Sequence, residues 1–243
     1  MNKFPISPIF IPANKLEWIS KTFDKGADSI ILDLEDSIPE NEKIQARENL
    51  SIHLRDNTFE GSLIIRVNPI SEQVGQDDIA MLSENDLSSI AFMVPKIEES
   101  DLITNLPDID VIALLETPVS IKNISEIASQ VKVKGLALGG ADLSASLGST
   151  MDWDSLLYSR SKIVQEAAIN NLFSIDSPFM NIDNLDALKD ESIKSRRLGF
   201  NGKAAIHPSQ INIIRNSFLP TKEELEEAKD IIRAFNESSS AVL

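Results

Sequence analysis

At 243 residues, with 42% hydrophobic residues and no cysteine, the chain can bury a full core but cannot build disulfides, thiolate metal sites or a cysteine nucleophile. Its 23 lysines and arginines against 38 aspartates and glutamates give a net charge of −15, spread without a basic cluster, which argues against a nucleic-acid partner. No stretch approaches the roughly 18 apolar residues of a membrane span and the first residues lack a signal-peptide pattern, so a soluble cytoplasmic protein with no membrane partner is expected.

Short apolar runs alternate with longer helix-patterned segments, as parallel strands joined by helical crossovers do. The runs predict eight strands, near Ile9 to Ile11, Ser29 to Leu34, Leu63 to Val67, Ile90 to Val94, Val111 to Leu115, Gly135 to Leu138, Phe173 to Ile175 and Lys203 to Ile206. Several are apolar at consecutive positions, as strands covered on both faces should be. Asn14 with Glu17 reads as the capped start of a helix stopped by Gly26, and Pro39 to Arg55 reads as a second, charged helix. Further helices are expected near Asp77 to Glu84, Glu98 to Leu106, Val119 to Gln130, Trp153 to Asn170, Asp183 to Leu198 and Ser209 to Asn216. A last helix, about 221–236, opens on the capping box Thr221 and Glu224 and is expected to bury Leu225, Ala228, Ile231, Ile232 and Phe235. Eight β/α units in a chain of this length predict an α/β fold, a single-domain (β/α)8 TIM barrel over residues 1–243 with an extra C-terminal helix. An open doubly wound sheet is the alternative, but the glycine-rich phosphate loops common in such sheets are missing.

In a barrel the chemistry sits at the C-terminal ends of the strands, and there the sequence is polar. The second strand ends in Asp33, Glu35 and Asp36, the third in Arg66 and Asn68, the fourth in Lys96, the fifth in Glu116, the sixth in Asp142, the seventh in Asp176 and the eighth in His207. Glu116 and Asp142 are hard oxygen donors, and a magnesium-type site needs only one or two carboxylates. Taken singly, each also reads as a helix or turn cap. The Gly139-Gly140 pair beside Asp142 lets backbone approach a ligand. Arg66 suits a carboxylate or a developing enolate oxygen, with a buried pair to Asp33 as the structural alternative. Glu35 and Asp36 are the acids expected to meet substrate, His207 reads as hydrogen-bonded structure, and Lys96 could serve as a Schiff-base lysine.

These stretches, taken in order, resemble the HpcH/HpaI aldolase and citrate lyase beta-subunit family. The resemblance is carried by Phe10-Ile11-Pro12-Ala13-Asn14, Asp33-Leu34-Glu35-Asp36 followed by Lys43 and Arg47, Arg66-Val67-Asn68-Pro69, Pro95-Lys96, Glu116-Thr117-Pro118, Gly140-Ala141-Asp142-Leu143 and the run from Gly199 to Gln210. It implies a barrel binding Mg2+, or Mn2+, through Glu116 and Asp142. It also implies a substrate site made by Arg66, Glu116, Pro118, Gly140, Ala141 and Asp142, with Arg66, Glu35 and Asp36 as the catalytic set. The activity implied is carbon-carbon cleavage or formation between a 2-oxo acid and an acyl thioester of the citryl, malyl or citramalyl type, carried by coenzyme A or an acyl-carrier protein. A pyruvate-type aldolase and a lyase-complex subunit are the alternatives, and a trimeric or hexameric homo-oligomer is the family expectation. The sequence departs from the family pattern at Ser7-Pro8 and Ala13, at Asp36 where the aldolase branch has histidine, and in ending at Leu243 before the C-terminal lid of longer relatives.

Overall fold

Eight parallel strands run in sequential order: β1 (Ile9–Pro12), β2 (Ser29–Asp33), β3 (Ser62–Arg66), β4 (Ile90–Val94), β5 (Asp110–Leu115), β6 (Val133–Leu138), β7 (Phe173–Asp176) and β8 (Gly202–Lys203). The structure, a computed structural model, describes residues 5–56, 62–87 and 90–237. A parallel bridge between Ile9 and Ala205 joins the two edges of the sheet. Phe10 N–H donates to the Ala205 carbonyl at 2.9 Å and Ala205 N–H to the Pro8 carbonyl at 2.8 Å. The sheet therefore curls into a TIM-barrel-like form, and every strand delivers its C-terminal end to the same face.

The runs of consecutive apolar residues divide into two cores, because side chains alternate across a strand. Ile31, Ile64, Met93, Leu114, Phe173 and Ile175 pack with one another inside the curl. Ile30, Leu32, Leu63, Ile65, Phe92 and Val94 point the other way, into a core shared with Leu50, Ile79, Ile103, Ile163, Leu188 and Ile211 of the covering helices. Gly135 is glycine for a steric reason: a Cβ there would lie 2.4 Å from the Phe173 ring, which fills the inside of the barrel.

The helices are α1 (Trp18–Asp24), α2 (Lys43–Asp56, preceded by a 3-10 turn at Glu40–Glu42), α3 (Gln73–Leu82), α4 (Ser100–Thr104), α5 (Pro118–Lys122), α6 (Ile124–Ala128), α7 (Gly140–Leu147), α8 (Leu157–Ile169), α9 (Leu185–Leu198), α10 (Pro208–Phe218) and α11 (Lys222–Glu237). Four differ from expectation. Asn14 does not cap α1; its amide donates to Glu42 at 3.1 Å and the helix starts after a turn at Lys15, although Gly26 does follow its end with φ +92°. The segment after Pro118 breaks at Asn123, whose side-chain amide is drawn to the Glu98 carbonyl at 2.8 Å. The helix α7 was not anticipated, because its opening Gly-Ala carries no helical signature. In α11 the Thr221–Glu224 capping box forms as expected, but Leu225, Ala228, Ile231, Ile232 and Phe235 are exposed rather than buried.

Beside the cavity at the strand ends lies an ion cluster whose Arg160, Asp176 and Lys203 are fully buried. Asp176 accepts from Arg160 Nε and from Lys203 Nζ, both at 2.9 Å, and Lys203 also meets the Ser177 carbonyl and Glu191 at 2.6 and 2.7 Å. Arg160 in turn stacks 4.6 Å from the Trp153 ring. Burial alone would raise the Asp176 pKa; Lys203 and Arg160 outweigh it and hold the carboxyl below its ordinary value. The cluster reaches the functional face through Ser177, whose Oγ would lie 2.9 Å from a Cβ on Gly140. Replacing Asp176 with Asn leaves two buried cations short of an anion, a loss on the order of 3–5 kcal/mol at pH 7, readable by urea denaturation. Because the folded-state pKa is lowered, the wild-type contribution is complete above the ordinary value of 3.8 and is lost as pH falls through the folded value. That acid-sensitive component should be missing from Asp176→Asn; an unchanged acid limb would contradict the assignment.

Candidate active site

The cavity at the C-terminal ends of the strands measures about 380 Å³, within the usual range for small-molecule sites once side-chain motion is allowed. Its floor is apolar, from Phe10, Met93, Leu114 and Ile175, with Met151 and Met180 at the sides. Asp33, Asp36, Arg66, Glu116, Asp142 and Asp176 supply charge, and Gly139, Gly140 and Ala141 supply backbone.

Arg66 ends β3 directly beside Asp33 at the end of β2, their Cα positions paired in register. Register alone thus brings a guanidinium to a carboxylate. Asp33 grips Arg66 with both oxygens, Nε and Nη2 each at 2.7 Å, the fork geometry that suits arginine. Nη1 donates to Asp36 at 3.0 Å and lies 3.1 Å from Glu35 Oε2 without hydrogen-bond geometry. The Phe10 ring covers the guanidinium, 5.0 Å from its centroid. Desolvation opposes the charge on Arg66, but Asp33, Glu35 and Asp36 outweigh it and raise its pKa further. For Asp33 the same desolvation is overcome by Arg66, and its pKa is lowered. Three of the five guanidinium N–H groups are engaged, which leaves two for a ligand.

Glu116 follows β5 and is 2% exposed. Its Oε1 accepts from the Lys96 N–H at 2.9 Å. On the other side it leans on Gly139, where a Cβ would lie 2.4 Å from Glu116 Cβ and 2.5 Å from Oε2. Any residue but glycine at 139 would displace the carboxylate. Burial, then the charges of Glu35 and Asp142, push the Glu116 pKa up to about 8, against the pull of Arg66 and the Lys96 N–H. Asp142 lies in the first turn of α7, half-buried and facing the same cavity. Two carboxylates thus line one cavity beside a glycine-lined approach, the charge of Asp142 adding to the rise in the Glu116 pKa, an arrangement that a divalent cation would relieve. A hard, oxygen-seeking ion such as Mg2+ fits this donor set, with water or substrate oxygens completing the shell.

The other predicted residues sort themselves around this centre. Gly140 and Ala141 open α7, and the first N–H groups of a helix have no intrahelical partner, so they can meet an anion. Glu35 was expected to face substrate; instead it is 4% exposed, turned inward between Arg66 and Lys96, and does not line the cavity. β2 ends at Asp33 and the chain bends there, and it is Asp36 in the following turn that reaches the cavity. Pro118 is an exposed first residue of α5, away from the lining, and Thr117 rather than Glu116 caps that helix through Ser120. His207 accepts from the Ser209 N–H at 3.2 Å as the cap of α10, as expected. Lys96 has a raised pKa, since Glu35, Glu116 and Asp142 outweigh its desolvation, which disfavours a Schiff-base role that needs a neutral amine. The apolar floor was missed as a site feature. Its signal was present in the period of two that places Leu114 on the same strand face as Glu116.

Comparisons with known proteins identify the family. Residues 7–208 match the family model described as HpcH/HpaI aldolase/citrate lyase. A (3S)-malyl-CoA thioesterase of Cereibacter sphaeroides is 31% identical over 96% of this chain and 83% of its own. The mitochondrial citramalyl-CoA lyase of Mus musculus is 27% identical over 94% of this chain and 75% of its own. The protein CitE from Mycobacterium tuberculosis, solved in complex with magnesium, acetoacetate and coenzyme A, superposes with a TM-score of 0.88 at 27% identity, covering 100% of this chain and 91% of that one. The strand-end acids, the arginine and the family match lead to one conclusion: the chain belongs to the HpcH/HpaI aldolase/citrate lyase family.

Proposed function

We propose that the protein is a Mg2+-dependent carbon-carbon lyase or synthase acting on a 2-oxo acid and a coenzyme A thioester. The observation that carries the reading is the convergence of Glu116 and Asp142 on one cavity wall beside Arg66. A citramalyl-CoA lyase among the relatives, and a relative solved with magnesium, acetoacetate and coenzyme A, support it.

In the cleavage direction a 3-hydroxyacyl thioester loses its hydroxyl proton, the bond between C2 and C3 breaks, and the pair of electrons passes to the thioester carbonyl as an enolate that then takes up a proton. Glu116 and Asp142 would hold the cation, which when bound supplies positive charge at the oxygen becoming the keto group. Arg66 donates to that same oxygen, its plane fixed by Asp33 and its face closed to water by Phe10. The N–H groups opening α7 at Gly140 and Ala141 receive the acid's carboxylate. Asp36, 60% exposed at the cavity wall and hydrogen-bonded to Arg66, is the carboxylate positioned to exchange the hydroxyl proton. The apolar floor excludes water from the developing enolate.

Two expectations test the reading. Glu116→Gln and Asp142→Asn should each lower Mg2+-dependent cleavage of malyl- or citramalyl-coenzyme A by about 100-fold or more, measured as release of the 2-oxo acid. Full activity in either variant would remove that residue from the ligand set, and release of coenzyme A with the acid's carbon skeleton intact would instead make the protein a thioesterase. Gly139→Ala should force Glu116 aside and weaken Mg2+ binding by about tenfold, read by calorimetry in the presence of pyruvate. Unchanged Mg2+ affinity would show that the Glu116 orientation does not matter.

A further inference from the structure

Lys96 holds a backbone conformation that lysine does not favour. Its φ is +50°, and among the described residues Asn171 is the other non-glycine with positive φ. Glycine adopts this region without a steric cost, so a lysine kept there points to a use for its side chain. The turn does two things. It aims the Lys96 N–H at Glu116 Oε1, 2.9 Å away, and it sends the ammonium back to Glu35 Oε1 at 3.2 Å. Glu35 is thereby suspended between two cations, with its other oxygen 3.1 Å from Arg66 Nη1 but outside hydrogen-bond geometry.

We propose that Lys96 is a positioning residue: its ammonium holds Glu35 back from Arg66, so that the guanidinium keeps N–H groups free for the substrate oxygen. Without the ammonium, the cation left at the Glu35 carboxylate among the described residues is Arg66, since Lys43 Nζ donates to the Glu35 carbonyl at 3.2 Å. The buried Oε2 then closes to a full hydrogen bond with Nη1 and competes with substrate for the same donor, because a buried carboxylate oxygen without a partner is costly to leave so. The catalytic half of this inference rests on the role given to Arg66 above. The hold on Glu35 stands on geometry alone.

Three variants separate the contributions. Lys96→Met removes the ammonium; Lys96→Gly removes it while keeping the N–H to Glu116 and relaxing the backbone; Lys96→Arg keeps the charge. A crystal structure of metal-free Lys96→Met should show Glu35 Oε2 hydrogen-bonded to Arg66 Nη1. In thioester cleavage, kcat should fall by about tenfold or more in Lys96→Met and Lys96→Gly with KM changed by less than about twofold, since an arginine displaced from the reacting oxygen lowers the chemical step rather than binding. Lys96→Arg should recover most of that loss, and Lys96→Gly should melt no lower than the wild type. The proposal is overturned if Glu35 keeps its wild-type position in Lys96→Met, if either neutral variant retains wild-type kcat, or if Lys96→Arg is no better than Lys96→Met. Absence of cleavage by the wild type would overturn the proposed function, and the position of Glu35 in the metal-free variant would still decide whether Lys96 holds it.

Discussion

The bidentate contact between Arg66 and Asp33 is the constraint on which the functional face depends. A guanidinium buried at a strand end is tolerable only if its charge is met, and Asp33 meets it with both oxygens at 2.7 Å. That grip sets the plane of Arg66, which sets what Asp36 and Glu35 can reach, which in turn leaves Lys96 as the second cation for Glu35. Asp36 and Glu35 are where they are because the Arg66 guanidinium beside them is already partly committed to Asp33. The pKa directions follow from the same geometry: Asp33, fully matched, is lowered, whereas Glu35 and Glu116, buried without enough positive charge, are raised.

A second ion cluster, around Asp176, shows what a fully matched arrangement looks like a few residues away. Arg160, Asp176 and Lys203 are all completely buried, and each finds a hydrogen-bonded partner. The contrast identifies the active site by its imbalance. Structural ion pairs balance internally, while around Glu116 and Asp142 negative charge is in excess, as the raised Glu116 pKa reflects. The two are mechanically joined, since Ser177 beside the buried cluster packs where Gly140 has no side chain. Rigidity in that cluster thus reaches the helix that bears Asp142.

The barrel-like order of elements could be read from alternation, and the strand ends named Asp36, Arg66, Glu116 and Asp142, which the structure brings to one cavity, because hydrophobic period is a local property of a chain. Helix boundaries were less legible wherever a tertiary hydrogen bond overruled local propensity, as Glu98 does at Asn123 and Glu42 does at Asn14. The helix α7 was hidden because glycine and alanine at its start carry no cap, and its position is set by the Gly139 N–H to the Leu115 carbonyl at 3.0 Å, a contact between neighbouring strands. The stripe on α11 has the spacing of a buried face, yet spacing says only that residues share a side, not that anything lies against it.

What the sequence by itself determined was the set: eight apolar runs, seven of them ending in polar residues, with two carboxylates and an arginine suited to a metal and an oxyanion. Periodicity and residue chemistry suffice for that. Only the tertiary structure decided which acids face the cavity and which stand behind it. It turned Glu35 inward and Asp36 outward, placed Pro118 outside, and put Lys96 in a left-handed turn so that one residue touches both Glu116 and Glu35. Those outcomes depend on backbone direction at single positions and on contacts between residues far apart in the chain, such as Lys96 and Glu35, which no local pattern encodes.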